Sequence, residues 1–348
     1  MNTSGLMRYA GAVAALALCS ACAGGAGGPA VAPSYGAQHV EYRNGRAFVD
    51  GRPVTAARPH LSALPRYAEL VPDHLPTLTV KHFEYIINDY GTYASIFNYP
   101  KSINQIGSIT NVGGQGCTHT LSGYGLKTFW IVAADNQITK FSAPKRPLRM
   151  LSDTVGMPSS CAMNAAGDLA VGILDPSQSY TVIIYKHAKA PYVGYATPLL
   201  EEYFDGYDSS GNLFADGFTR SGFGLAELPK GGKTFRTITT SNVVQFPGSV
   251  QWDGKYLVVT DQLANALYQY KVVGTQATLK GTVQLSGSSD CAQTWIVPQT
   301  SASGTGVVYC ADAGTDDGEV FKYPAGGSPI AVFQGNFDLP LGTVAVEN

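Results

Sequence analysis

Short apolar runs alternate with clusters of glycine, proline, asparagine and aspartate along most of the chain. After a glycine-bearing turn the same kind of run recurs, at residues 127–132 (KTFWIV), 169–171 (LAV), 213–215 (LFA) and 256–259 (YLVV). Short runs rich in Val, Ile, Tyr, Phe and Thr and bounded by turn residues are typical of β-strands. No segment keeps a helical period with caps over several turns. The pattern therefore predicts an all-β protein.

The predicted strands are organised in a repeat. One position, six residues before each glycine turn, recurs through the chain. Its residues are Cys117, Cys161, Asp205, Gly248, Cys291 and Gly342, at spacings of 44, 44, 43, 43 and 51 residues. Four strands in a repeat of about 40 to 50 residues are the signature of a β-propeller. The repeat predicts a six-bladed propeller over 76–348, with blades at 76–110, 111–154, 155–197, 198–240, 241–285 and 286–335.

Two strand patterns lie outside this repeat. Residues 339–346 (LPLGTVAV) align with the inner strand at 246–252 (FPGSVQW), but no blade follows them. The first blade lacks an inner strand, so we expect the C-terminal strand to join it and close the ring. Ahead of the ring, the dipeptides Asn44-Gly45 and Asp50-Gly51 are hairpin turns. They predict that residues 39–75 form a short β-meander and an extended arm.

The first 38 residues predict export. Residues 1–21 combine a polar start, a ten-residue apolar run and small residues, which is the pattern of a signal peptide and is too short to span a bilayer. Ser20-Ala21-Cys22 is similar to the end of a bacterial lipobox, although Cys19 stands where leucine is preferred. Residues 22–38 form a flexible Gly/Ala/Pro tether. We expect a lipoprotein with Cys22 as the lipid attachment site, periplasmic or on the outer surface; ordinary secretion is the alternative.

Composition narrows the class of partner. Charged residues make up 14% of the chain, against about a quarter in a typical soluble domain, and the net charge is −2. Lys and Arg are scattered and form no basic block, so nucleic acid is not an expected partner. An exported protein meets an oxidising environment in which its cysteines can pair.

An aspartate recurs near the end of the second strand of each blade. These residues are Asp89, Asp135, Asp175, Asp216, Asp261 and Asp312. We expect them to be structural turn acids that accept backbone N–H groups. The segments 132–141 (VAADNQITKF) and 259–268 (VTDQLANALY) resemble the strand-Asp-turn-strand signature of NHL-type propellers, shared with gluconolactonase-like and vitamin-B-type periplasmic propellers.

The chain also resembles an uncharacterised family of exported bacterial propellers. The resemblance lies in residues 207–213 (YDSSGNL) and 228–231 (LPKG). Both resemblances imply the propeller fold over about 78–348, and neither carries an activity to this chain.

Four cysteines of the predicted ring have three interpretations. Cys291 and Cys310 could form a disulfide across a hairpin, and Cys117 and Cys161 a disulfide between neighbouring blades. A crowded column that accepts only small side chains would explain Cys117, Cys161 and Cys291 without a bond. A thiolate site for a soft metal such as zinc, formed by these three cysteines, is the third interpretation. Connectivity does not follow from sequence.

Polar residues on the predicted inner strands could line the channel of the ring. They are Asn164, Asp208, Gln251 and Thr294. The gluconolactonase-like resemblance implies a metal-dependent lactone or ester hydrolase, in which Asn164 and Asp208 would lie near a divalent metal. The loop at 312–319 (DAGTDDGE) gathers four acids that could hold calcium, but its spacing is not that of an EF-hand.

The sequence contains neither a Gly-x-Ser-x-Gly elbow nor a phosphate-binding loop. We therefore predict a monomeric, non-catalytic binding protein without a cofactor, whose partner is an envelope protein or a glycan. The hydrolase is the alternative.

Overall fold

The structure is a computed structural model. It describes residues 40–43, 46–49, 52–53, 82–88, 93–118, 125–133, 137–152, 156–174, 180–298 and 306–347. The chain divides into two compact units, residues 1–69 and 70–348. The described part is built from strands and one short 3₁₀ turn, Lys186–Ala188, which confirms the all-β prediction. None of its helices has the length and apolar character needed to cross a membrane.

The first unit contains a three-stranded antiparallel sheet. Its strands are β1 (Val40–Arg43), β2 (Arg46–Val49) and β3 (Arg52–Pro53), in the order β1-β2-β3. The second unit contains all the strands that follow.

The second unit contains 25 strands in the described residues. The first eight are β4 (His82–Asn88), β5 (Tyr93–Phe97), β6 (Gly107–Thr110), β7 (Gln115–Thr118), β8 (Gly125–Leu126), β9 (Thr128–Ala133), β10 (Gln137–Ser142) and β11 (Arg146–Ser152). The next eight are β12 (Pro158–Met163), β13 (Leu169–Ile173), β14 (Val182–Tyr185), β15 (Tyr192–Tyr195), β16 (Glu201–Tyr207), β17 (Leu213–Thr219), β18 (Gly222–Leu228) and β19 (Arg236–Thr240). The last nine are β20 (Pro247–Trp252), β21 (Leu257–Asp261), β22 (Ala266–Val273), β23 (Gln276–Gln284), β24 (Cys291–Val297), β25 (Gly306–Asp312), β26 (Asp317–Tyr323), β27 (Ala331–Val332) and β28 (Pro340–Glu347).

These strands form a propeller-like arrangement of antiparallel sheets. Three sheets have four strands, in the orders β7-β9-β10-β11, β12-β13-β14-β15 and β24-β25-β26-β27. The other two sheets of this unit have more than four strands. Strands β16 to β23 form one eight-stranded sheet, because the outer strands β19 and β23 pair in parallel at Thr239↔Gln276 and Thr240↔Ala277. A fifth strand, β8, pairs in parallel with β28.

The C-terminal strand joins the first strands of the second unit. Strand β28 pairs antiparallel with β4 from Pro340↔Asn88 to Glu347↔His82. The resulting sheet has the order β6-β5-β4-β28-β8. The C-terminus therefore supplies the strand that the sequence of the first predicted blade lacks.

The apolar core lies between neighbouring sheets. Strand β9 packs on two neighbours at once: Phe129 and Ile131 belong to one apolar cluster, and Trp130 and Val132 to the next. Because successive side chains of a strand point to opposite faces, a strand covered on both faces needs an uninterrupted apolar run. This explains why the second strand of a predicted blade, such as β9, is a continuous apolar run and not an alternating one.

Candidate functional site

The innermost strands of four sheets surround a small polar cavity. Strands β7, β12, β16, β20 and β24 contribute its lining, whose polar members are Ser160, Asp205, Ser249, Gln251, Gln293 and Thr294. The cavity leaves about 20 Å³ for the centres of water molecules. One water needs roughly 10–15 Å³ by that measure. The cavity therefore has room for one or two waters.

Hydroxyl groups tie β20 to β24 on one side of this cavity. The Oγ of Ser249 lies 2.6 Å from Thr294 Oγ1 and 3.0 Å from Thr260 Oγ1, and the two threonine hydroxyls are 2.9 Å apart. The backbone N–H of Thr294 also donates to Ser249 Oγ at 3.1 Å. These polar groups satisfy one another, so the sheet edge is closed without an external partner.

Two glutamines make the same kind of link through the backbone. Gln251 Nε2 donates to the carbonyl of Ile296 at 2.8 Å, and Ile296 N–H donates back to Gln251 Oε1 at 2.7 Å. Gln293 Nε2 donates to the carbonyl of Gly116 at 2.9 Å, and its Oε1 accepts from the N–H groups of Gly116 (3.2 Å) and Thr343 (2.8 Å). Gln293, which the sequence did not single out, joins three inner strands.

Three buried carboxyl groups lie near one another on β16 and β17. Ser159 Oγ donates to Glu202 Oε2 at 2.9 Å, and Ser160 Oγ lies 3.3 Å from Glu202 Oε1 and 3.2 Å from Asp205 Oδ2. The third group, Asp216, is fully buried. A Cβ at position 172 would overlap the Glu202 carboxylate, so a larger residue there would displace this carboxylate.

Burial raises the pKa values of these three carboxyl groups. Burial, then the charges of Asp205 and Asp216, raise the pKa of Glu202 well above its ordinary value. Burial likewise raises the pKa of Asp205 and of Asp216. Backbone amides of Phe204 and Gly248 oppose the shift of the Asp216 pKa, but neither makes a hydrogen bond of normal geometry to its carboxyl oxygens. The three carboxyls are therefore arranged to hold protons that an exposed carboxyl releases.

A β-bulge brings Glu202 and Asp205 together. Residues three apart in a regular strand point to opposite faces. The register of β16 against β17 shifts between Glu202 and Phe204, so the two carboxyls share the hydroxyl of Ser160. Strand alternation alone gives no signal for this contact.

The predicted turn acids fall into three groups. Asp261 accepts the N–H of Ala264, and Asp312 those of Gly314 and Thr315, in the turns that follow them. Asp216 does not lie in a turn but inside β17, where it pairs with Phe204, the residue after the bulge in β16. Asp261 and Asp312 instead pair with residues that precede the bulges in β20 and β24. Asp89, Asp135 and Asp175 lie outside the described residues, as does Cys22.

Two of the four predicted channel residues line the cavity, namely Gln251 and Thr294. The other two close turns instead. Asn164 Oδ1 accepts the N–H groups of Ala166 (3.0 Å) and Asp168 (2.9 Å). Asp208 Oδ1 accepts those of Ser210 and Asn212, both at 2.9 Å. Their oxygens are engaged in Asx turns, the local role that short polar side chains before glycine favour.

Both predicted disulfides are present. The Cα atoms are 5.7 Å apart in Cys117–Cys161 and 5.4 Å apart in Cys291–Cys310. The first joins β7 to β12 and so links two sheets; the second joins β24 to β25. Because the sulfurs are bonded in pairs, the interpretation of a thiolate metal site is wrong for Cys117, Cys161 and Cys291.

Comparison with known proteins supports the fold and adds no activity. No protein-family model matches the chain, and no curated protein matches its sequence. A chain in the crystal structure of a nidogen/laminin complex is similar with a TM-score of 0.53 and 12% identity, over 76% of this chain and 98% of that one. A functionally unknown protein from Desulfotomaculum acetoxidans DSM 771 has a TM-score of 0.49 and 8% identity, over 76% and 98%. The structure of U3-55K has a TM-score of 0.46 and 10% identity, over 66% and 70%.

Proposed function

We propose that this chain is a binding scaffold of the bacterial cell envelope, exported by its N-terminal signal, anchored by a lipid on Cys22, and without catalytic activity. Its second unit is proposed to be a six-bladed propeller. The contacts of the inner strands support this blade count, because they run in the cyclic order β28, β7, β12, β16, β20, β24 and back to β28. On this reading the eight-stranded sheet is two blades joined at their outer strands.

The observation that carries the binding role is the closure of the ring centre. The polar side chains there bond to one another and to backbone groups across the inner strands, and they leave space for one or two waters. A sugar or lactone does not fit in that space. We therefore place the partner on the outside of the ring, at loops or outer strands.

Outer strand β11 is the surface that best fits this role. Leu148, which lies at a β-bulge between Pro147 and Arg149, and Met150 are 46% and 58% exposed. Lys145, Arg146 and Arg149 are exposed beside them, and residues 145–152 (KRPLRMLS) contain no acid. Strand β11 pairs with β10 on one edge, and no described strand pairs with its other edge. Exposed apolar side chains grouped with one sign of charge are typical of interaction surfaces.

The chemistry of this surface favours a protein partner with an acidic, partly apolar segment. Tyr180 is the one aromatic among the large apolar residues found exposed in the described chain. Glycan recognition by stacking needs aromatic faces, and this surface offers aliphatic and basic side chains instead. A protein segment is therefore the better match than a glycan.

The hydrolase receives less support. It would use Asn164 and Asp208 near the channel, and the oxygens of both residues already accept backbone N–H groups in turns.

Photo-cross-linking in the producing cells tests the binding proposal. We would place a photoreactive amino acid at Met150 and, as a control, at Val273, which is 65% exposed at the end of β22. We expect a protease-sensitive adduct of discrete mass from position 150 and not from position 273. Lys145→Glu combined with Arg146→Glu should lower its yield. No adduct at position 150, or the same adducts from both positions, would overturn the assignment of this surface.

A further inference from the structure

The hairpin β25–β26 gathers acidic side chains on one face, beside the Cys291–Cys310 disulfide. Asp312 pairs directly with Asp317, and Cys310 with Glu319. Directly paired residues of an antiparallel hairpin lie on the same face with neighbouring side chains. Carboxylate oxygens of Asp312 and Glu319 lie within 4.8 Å of each other and of both sulfurs. The acids thus form one cluster.

The carboxyl groups of this cluster differ in how many hydrogen bonds they accept from the protein. Asp312 is well satisfied, because it accepts N–H groups from Ser289, Asp290, Gly314 and Thr315. Glu319 is not, because the residue is 4% exposed and its Oε2 has no hydrogen-bond partner. No Lys or Arg in the described part of the chain forms an ion pair with Asp312, Asp317 or Glu319.

A buried, unpartnered carboxylate beside two others is unfavourable unless a proton or a cation neutralises its charge. Burial, then the charge of Asp312, raises the pKa of Asp317 to about 6. Burial, then the charges of Asp317 and Asp312, raises the pKa of Glu319 to about 8. A cation at this cluster would remove the penalty, and the unpartnered Glu319 Oε2 is a free ligand atom for it.

The donor atoms decide which cation fits. The neighbouring sulfurs are bonded to each other and offer no thiolate, so the remaining donors are carboxylate oxygens. Hard divalent cations of the calcium class prefer such oxygens. Asp312 keeps acceptor capacity, since its Oδ2 accepts the Ser289 N–H alone. We propose that Asp312, Asp317 and Glu319 bind one divalent cation of the calcium class.

Calcium titration of the purified full-length protein in detergent, stripped with a chelator, tests this site. We would measure binding by calorimetry and the thermal unfolding midpoint, up to about 5 mM calcium, above the roughly millimolar constants of weak extracellular sites. We expect saturable binding of one ion and a higher midpoint. Glu319→Gln should weaken binding by about tenfold or more, because it removes one charged ligand.

Asp316→Asn is the matched control. Asp316 lies in the same turn but is exposed, and its Oδ1 accepts the N–H of Leu339, which an asparagine oxygen can also do. Calcium affinity should stay within about twofold in this variant. Asp317→Asn provides a second test should Glu319→Gln not fold. No saturable calcium binding by the unmodified protein, or equal affinity in a folded Glu319→Gln or Asp317→Asn variant, would overturn the proposal.

Discussion

The two disulfides should contribute unequally to stability. Cys117–Cys161 closes a loop of 44 residues and links two sheets, whereas Cys291–Cys310 closes 19 residues between adjacent strands of one sheet. Cross-linking lowers the entropy of the unfolded chain by an amount that grows with the logarithm of loop length. At 25 °C this gives about 4 kcal/mol for the longer loop and about 3 kcal/mol for the shorter.

Paired alanine variants measure this difference. We would unfold Cys117→Ala/Cys161→Ala and Cys291→Ala/Cys310→Ala in urea and follow the fluorescence of the buried Trp130 and Trp295. We expect the first variant to lose more unfolding free energy than the second, and both to lose more than about 2 kcal/mol. All four cysteines are buried, which makes the pairs a fair comparison.

The opposite order would refute the loop-entropy reasoning. So would losses below about 1 kcal/mol in both variants. Reduction of the unmodified protein provides an independent check, because it should lower the stability to that of the fourfold alanine variant.

Three further predictions concern the inner strands and the anchor. Folding raises the pKa values of Glu202, Asp205 (to about 7) and Asp216, so the fold is more stable when these carboxyls are protonated. This stabilisation is complete below the pKa values of the unfolded chain and is lost as the pH rises through the pKa values of the folded chain. The unfolding free energy should therefore fall as the pH rises from about 4 to about 7, and Asp216→Asn should flatten that fall; an unchanged slope in the variant would contradict it. Gln293→Ala should cost about 3 kcal/mol in urea unfolding, because backbone groups of Gly116 and Thr343 lose their partner, while the exposed Gln276→Ala should cost under about 0.5 kcal/mol. Cys22→Ala should move the protein from the membrane to the soluble fraction and remove the mass of the lipid; an unchanged distribution would count against lipidation.

The repeat in the sequence predicts the strands well because each turn carries its own chemistry. Asn164 and Asp208 precede glycines, and both close the turns that such residues favour. Their place beside the inner strands predicts that they line the channel. The Asx-turn pattern of the same residues predicts instead that their oxygens accept turn N–H groups, and this is what the structure shows.

The contacts that the sequence could not predict depend on strand register. The bulge in β16 puts Glu202 and Asp205 on one face, and the bulge near the start of β24 lets Cys291 bond to Cys310, although Cys310 pairs with Thr294. A bulge inserts one residue and reverses the alternation beyond it. No turn residue marks the bulge in the sequence, so the sequence does not predict that Glu202 and Asp205 share the hydroxyl of Ser160.

We propose that a partner protein binds the outer strand β11 and not the ring centre. The most direct test of this proposal is the affinity of the partner cross-linked at position 150 for two variants of the purified protein. Leu148→Asp/Met150→Asp changes the exposed surface, and Thr294→Val removes a hydroxyl at the cavity while keeping its shape. We expect the first variant to lose about tenfold or more in affinity and the second to bind as the unmodified protein does. Full binding by the first variant together with loss in the second would contradict the proposal.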